Sequence, residues 1–184
     1  MTVPQHAART TAAWSRLLGT EGPSPMVADI GLALSVVAAG LWSGLLLTIT
    51  TILHPMFAAG DGRAFSLDMR RFLPIARTAV VNYVLVVLLV LAPVLALVGL
   101  WNDRGSAPFV LTAAGLVSTI AGPLLMSRFL AEPNYAVILG WAPDAVPPDW
   151  ERTRARYFTL NWLRGALTWL AFALFSVAFY LHLT

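Results

Sequence analysis

Four stretches of this chain contain almost no charged residues and are rich in Leu, Val, Ala and Phe. They cover residues 26–53, 76–101, 107–131 and 161–183. Each is long enough to supply the run of about 20 apolar residues that a helix needs to cross a bilayer. The pattern predicts an all-α fold, an integral membrane four-helix bundle.

The polar segments between these stretches predict the organisation of the chain. Residues 1–25 are expected to form an N-terminal tail, either disordered or lying at the membrane interface, ahead of a four-helix domain at 26–184. An even number of crossings places both ends of that domain on one side, here called side A. The connections around 54–75 and 132–160 then lie on the other side, side B, as loops.

Arginine is distributed unevenly between the two sides. Three arginines belong to side A and nine to side B. The positive-inside rule therefore predicts that side B is cytoplasmic, in a bacterial-type inner or plasma membrane.

Composition narrows the class of protein further. The chain is 58% hydrophobic and 11% charged, whereas soluble domains are about 45–50% apolar and about 25% charged. The net charge of +3 is too diffuse for a nucleic-acid surface, and the chain has no cysteine for disulfides or thiolate metal sites. The expected environment is the lipid bilayer, with no nucleic-acid partner.

The histidines limit metal chemistry. They are His6, His54 and His182. A di-iron bundle needs Glu-x-x-His pairs, which this chain does not contain. His54 and His182 are expected to lie at opposite ends of the bundle, about 30 Å apart, so they cannot bind the same ion. A mononuclear site that uses His54 as its histidine ligand remains open.

Polar side chains recur on one face of the fourth helix at spacings of three and four residues. They are Arg154, Tyr157, Asn161, Arg164 and Thr168. Asp149 follows two prolines and is a predicted N-cap, so this helix should begin near Trp150 and continue into the bilayer.

Arg164 is the most informative member of this stripe. A charge inside the hydrocarbon costs at least ~2.5–3.5 kcal/mol and normally faces a partner or a wet cavity. The alternative is an arginine that snorkels to the interface. Asn161 one turn earlier and Arg154 on the same face favour the cavity.

The other three helices also place polar groups at side B. They are Ser43, Thr50 and His54 in the first, Arg71, Thr78 and Asn82 at the second, and Arg128 and Asn134 at the third. Each has a structural explanation on its own, as a helix end, an interhelical hydrogen bond or a topology anchor. Their convergence predicts a pocket open to side B that suits a planar or anionic ligand.

The segment from Glu132 to the C-terminus resembles the anthrone oxygenase-like family, small four-span membrane proteins catalogued as a domain of unknown function. The residues that carry the resemblance are Pro133, Asn134, Trp150, Arg154, Arg156, Tyr157, Asn161 and Arg164. The glycine-rich first span and Asn82 are similar to the family as well. Two positions differ from its pattern: Asn134 follows Pro133 directly, and Asn161 stands where many members have His.

The resemblance implies oxidation of an anthrone-like aromatic polyketide to a quinone with molecular oxygen. Such a substrate is weakly acidic at its reactive carbon, so an enzyme can help by removing a proton and stabilising the resulting oxyanion. Expected roles are oxyanion stabilisation by Arg154 and Arg164, orientation by Asn82, Asn134 and Asn161, proton removal by His54, and substrate contacts from Arg71, Trp150 and Tyr157. The cofactor is unknown, and this scheme requires none beyond O₂.

Two other functions stay open. A small carrier or channel for an aromatic or lipidic anion would also use a basic vestibule. A non-catalytic subunit of a membrane complex would bind other chains through its apolar surface. Homo-oligomerisation also stays open.

Overall fold

A computed structural model describes residues 25–184, and the predicted tail before Pro25 lies outside the described residues. The regular structure is helical, in the following order: α1 Pro25–Thr48, a π-helical segment Ile49–Leu53, α2 His54–Ala58, α3 Gly62–Thr78, α4 Val80–Gly99, a 3₁₀ turn Trp101–Asp103, α5 Ala107–Thr119, a π-helical segment Ile120–Ala131, α6 Glu132–Gly140 and α7 Trp150–Leu183. The predicted all-α class is confirmed.

Consecutive helical segments join into four rods that are long and apolar enough to cross a membrane. They are span 1 Met26–Ala58, span 2 Val80–Gly99, span 3 Ala107–Gly140 and span 4 Trp150–Leu183. Span 1 packs against spans 2 and 4, and span 3 packs against spans 4 and 2, which closes the bundle. The chain is an integral multi-pass membrane protein of four packed helices.

Spans 1 and 3 extend further toward side B than the apolar stretches predicted. Their helices continue to Ala58 and Gly140 instead of ending near residues 53 and 131. Pro55 and Pro133 do not end them, because each lies in the first turn of the helical segment that follows a π-helical segment. Span 2 is shorter than predicted and begins at Val80.

The prediction of a loop around 54–75 was wrong, because most of that segment is helical. In α3, the backbone N–H of Ala64 donates to the Asp61 carboxylate over 2.9 Å, which caps the helix. Phe65, Met69 and Leu73 are buried on one face and pack against the side-B end of the bundle. Their spacing of four residues is the signal of an amphipathic helix.

Span 4 begins where the sequence predicts. Trp150 is its first residue and Asp149 occupies the N-cap position, although the Asp149 side chain does not bond to the first turn. At side A, the His182 imidazole pairs with the Asp29 carboxylate over 2.8 Å and joins the end of span 4 to the start of span 1.

The outer surface of the rods carries many large apolar side chains. Leu41, Val87, Val117, Phe129 and Tyr180 are all more than half exposed. An apolar surface of this extent is stable in hydrocarbon and unstable in water. The protein therefore resides in a lipid bilayer.

Spans 1 and 2 approach each other closely at two glycines near side A. A Cβ atom at Gly31 would lie 2.4 Å from the Ala96 backbone nitrogen, and one at Gly99 would lie 2.4 Å from that of Ala28. Because glycine has no side chain, it lets the backbones of two membrane helices pack directly against each other.

We expect Gly31→Ala to destabilise the bundle by about 1–3 kcal/mol, because the added methyl group forces spans 1 and 2 apart. The matched control is Gly44→Ala in the same span, since nothing lies within 4 Å of a Cβ atom there. Unfolding in mixed micelles with increasing SDS measures both variants. Equal stability of the two would contradict this account of the packing.

Candidate functional site

A cavity of about 990 Å³ occupies the side-B half of the bundle. All four spans and the end of α3 contribute to its walls. Within residues 25–184, six aromatic side chains line it: Trp42, Phe72, Tyr83, Phe129, Tyr135 and Tyr157. Its size lies at the upper end of the range for small-molecule sites, and its walls suit a flat apolar ligand.

The cavity opens sideways, between spans 2 and 3. Its lining residues from spans 1 and 4 are buried or half-buried, whereas Thr78, Tyr83, Leu125 and Phe129 at the rim are exposed. Spans 2 and 3 pack together in their side-A halves and separate toward side B. The mouth therefore lies between the side-B halves of spans 2 and 3.

Both π-helical segments border this cavity. Ile49 belongs to the first, and Pro123, Ser127 and Arg128 belong to the second. A π-helix is wider than an α-helix, and such segments occur frequently at functional sites. Here they coincide with the place where the bundle is hollow.

Arg164 lies in the floor of the cavity and is 9% exposed. Its Nη1 donates to the Tyr135 hydroxyl over 2.9 Å and to the Asn161 Oδ1 over 3.3 Å. Within residues 25–184, no carboxylate lies within 4 Å of this guanidinium and its Nε has no acceptor. The side chain thus presents an uncompensated positive charge to the cavity.

Asn161 connects Arg164 to His54. The Asn161 Oδ1 accepts from Arg164, so its Nδ2 is the group that donates to the Tyr157 carbonyl over 3.1 Å and faces the His54 Nε2 at 3.4 Å. The His54 Nε2 is then an acceptor, which leaves the proton of a neutral imidazole on Nδ1. His54 is buried behind Asn161 and does not line the cavity.

The rim contains charged groups that sequence reasoning missed. The Arg77 guanidinium pairs with the Glu132 carboxylate over 2.6 Å, between α3 and span 3. Arg128, Glu132 and Tyr135 follow one another at spacings of four and three residues. That is the same pattern that reveals the polar stripe of span 4, so it was available in the sequence.

The structure brings four of the predicted site residues to the cavity wall: Asn82, Tyr157, Asn161 and Arg164. Asn82 also donates to the Ala76 carbonyl over 2.8 Å, across the break between α3 and α4. Tyr157 is 1% exposed and packs edge-on against His54.

The structure places four other predicted site residues outside the cavity. Arg154 donates to the Ala58 and Gly60 carbonyls and stacks on Trp150, whose ring lies against Gly62. Asn134 is buried beside the Thr153 carbonyl, and Arg71 is exposed on α3. These residues hold the side-B ends of the helices together or face the surroundings.

Among the described residues, no three His, Asp or Glu side chains are grouped closely enough to hold a metal ion. Comparison of the chain with protein-family models, with curated proteins and with solved structures finds no match. The cavity and the motif of span 4 are therefore the features that indicate a function.

Proposed function

We propose that this protein is a membrane-embedded oxygenase that oxidises an anthrone-like or other lipophilic aromatic molecule to a quinone with O₂. One observation carries the proposal: a buried guanidinium, with no carboxylate partner among residues 25–184, lines an aromatic-walled cavity whose mouth lies between spans 2 and 3. A lipophilic ring dissolved in the membrane can enter between spans 2 and 3.

Arg164 and Tyr135 are the proposed oxyanion site. The Tyr135 hydroxyl proton can donate to an oxygen on the ligand, since Tyr135 uses a lone pair to accept from Arg164, and the Arg164 guanidinium supplies a positive charge beside it. A cation in a site of low dielectric stabilises a phenolate far more than water does. Asn161 holds the guanidinium in place.

Glu132 is the proposed proton acceptor, because it is the one carboxylate among the described residues that line this cavity. This assignment replaces the role expected for His54, whose Nε2 lone pair faces the Asn161 amide. Glu132 lies on span 3 at the mouth and Arg164 lies on the floor. A flat substrate between them presents its C–H to one and its oxygen to the other.

The proposed reaction balances without a further reductant. The base takes one proton from the reactive methylene, and the carbanion, delocalised as a phenolate, gives electrons to O₂ and forms a carbon–oxygen bond. The resulting peroxide takes up a proton and then loses water as its O–O bond and the second C–H bond break. One oxygen atom ends in the new carbonyl and the other in water.

The family resemblance supports the same proposal. Of the residues that carry it, Tyr157, Asn161 and Arg164 meet at the cavity wall. The carrier alternative is less favoured, since the side-A half of the bundle is filled by Leu32, Ala96, Leu100 and neighbouring apolar residues. A carrier needs a polar route through that half.

The proposal is tested by adding an anthrone to the purified protein in nanodiscs and following quinone absorbance together with O₂ consumption. We expect one O₂ consumed per quinone, at a rate above that of empty nanodiscs of the same lipid. A rate equal to that of empty nanodiscs would refute an oxygenase for this substrate. Uptake of an unchanged aromatic anion into proteoliposomes would instead support a carrier.

A further inference from the structure

Arg128 is a charged residue of the cavity that the proposed reaction does not use. It lines the cavity from span 3 and is exposed. Within residues 25–184, no carboxylate lies within 4 Å of its guanidinium. Charged side chains in membrane-spanning helices normally face a partner or a wet cavity, so the partner of this guanidinium has to come from outside the bundle.

Positive charge is in excess around the cavity. Among the described residues that line it, the charged ones are Arg77, Arg128, Glu132 and Arg164. The one carboxylate, Glu132, is paired with Arg77 over 2.6 Å and therefore does not compensate Arg128, one helical turn earlier in span 3. Three guanidiniums and one carboxylate favour an anionic ligand over a cationic one.

Arg128 lies where span 3 leaves the hydrocarbon at side B. Residues 107–127 of this span contain no charged side chain, and a helix needs about 20 such residues to cross the bilayer. The neighbouring Leu125, Phe129 and Leu130 are exposed on the outer surface, as expected for a face in contact with lipid. Arg128 is therefore at the level of the lipid head groups.

The cavity beside Arg128 has apolar walls. Leu124 and Leu125 line it one turn deeper in span 3, and Val86 of span 2 and Ile49 of span 1 line it as well. The mouth lies between the side-B halves of spans 2 and 3. A hydrocarbon chain can therefore extend into the cavity while the head group to which it is attached stays beside Arg128.

We propose that the mouth of the cavity is a binding site for an anionic phospholipid. The phosphate accepts hydrogen bonds from the Arg128 guanidinium, and one acyl chain lies in the cavity. Arginine suits this role, because its planar fork of N–H groups matches two phosphate oxygens. Phosphatidylglycerol binds more tightly than phosphatidylcholine, whose ammonium group is repelled by the excess of guanidiniums around the cavity.

This site links the cavity to the composition of the membrane. A phospholipid chain and an aromatic ligand occupy the same space, so the phospholipid has to leave before the ligand enters. Occupancy of the cavity by another ligand is then expected to decrease as the fraction of anionic lipid increases.

Native mass spectrometry of the purified protein in detergent tests the site. Phosphatidylglycerol and phosphatidylcholine with identical acyl chains are titrated separately onto the unmodified protein, Arg128→Leu and Arg152→Leu. Arg152 is the matched control, because it is also an exposed arginine of side B without a carboxylate within 4 Å among residues 25–184, and it lies outside the cavity.

We expect the unmodified protein and Arg152→Leu to bind one phosphatidylglycerol more tightly than phosphatidylcholine. Arg128→Leu should bind phosphatidylglycerol roughly five- to tenfold more weakly. No loss in Arg128→Leu, or an equal loss in Arg152→Leu, would overturn the site, since an equal loss indicates general attraction to the arginines of side B. If Arg128→Leu does not insert, Arg128→Gln replaces it, because glutamine removes the charge and keeps a polar side chain.

Glycerol phosphate tests the role of the acyl chain, because it has the anionic group without the chains. We expect it to leave bound phosphatidylglycerol in place even in large molar excess. Displacement would show a site for free phosphate and would overturn the lipid site. No anthrone is present in these titrations, so their result does not depend on quinone formation. A protein that oxidises an anthrone but binds both phospholipids equally is an oxygenase without the lipid site.

Discussion

Arg164→Leu is expected to lower the turnover of an anthrone at least ~100-fold, while the protein remains inserted and abundant. Removal of one donor from an oxyanion site typically costs about 10²–10³ in rate. Stability should change little, because the cost of leaving the Asn161 Oδ1 without its donor is offset by removal of a buried charge that has no carboxylate partner within 4 Å among residues 25–184. Placing such a charge in hydrocarbon costs at least ~2.5–3.5 kcal/mol.

Two further variants define the origin of this loss. Arg164→Lys retains the charge but cannot bond to Tyr135 and Asn161 in the same planar geometry, so we expect an intermediate rate. Arg152→Leu removes an exposed guanidinium from the first turn of the same helix and serves as the matched control. Full turnover in Arg164→Leu, measured per inserted protein, would remove the proposed chemistry.

Asn161→Leu is expected to cost both stability and activity. The change leaves the His54 Nε2 without its donor and removes an acceptor from Arg164, both in buried positions. Each buried group left unpaired costs about 1–3 kcal/mol, so we expect destabilisation on the order of 2–4 kcal/mol. Turnover should fall ~100-fold, because a misplacement of about 1 Å at a catalytic group has that effect.

The control for Asn161→Leu is Thr159→Val in the same helix. The Thr159 side chain is exposed and, within the described part of the chain, bonds only to the carbonyl of Ala155 in its own helix. Asn161→His provides a conservative comparison, since an imidazole retains both an acceptor and a donor and many members of the resembling family have His at this position. If Asn161→Leu unfolds at the same SDS fraction as Thr159→Val and is equally active, then Asn161 does not hold the guanidinium.

The predictions for Arg164 and Asn161 differ in whether the sequence alone or only the tertiary structure leads to them. The loss in Arg164→Leu follows from a residue that the polar stripe of span 4 already singled out. The loss in Asn161→Leu follows from a chain of three side chains on two spans, which only the packing of span 1 against span 4 brings together.

Some features of the site were predictable but were missed. Phe65, Met69 and Leu73 are four residues apart, which indicates an amphipathic helix where a loop was predicted. Glu132 and Tyr135 continue the spacing that begins at Arg128. In both cases the periodic pattern is present in the sequence but covers only a few residues. The polar residues around it suggested a connection between spans instead of a helix.

The four spans could be derived from local composition alone. A helix that faces lipid must be apolar over about 20 residues, and this requirement does not depend on its neighbours. The polar face of span 4 follows from the 3.6-residue period in the same way. Helical class, number of crossings and the face that contains Arg164 are therefore properties of consecutive residues.

The cavity depends on relations between spans that are far apart in the chain. Periodicity places Arg154 and Arg164 on one face, yet packing directs Arg154 to the carbonyls of Ala58 and Gly60 and only Arg164 to the hollow. The position of the mouth between spans 2 and 3 likewise depends on how the four spans are rotated and separated. Those rotations are decided by side-chain packing between the helices, which no single segment encodes.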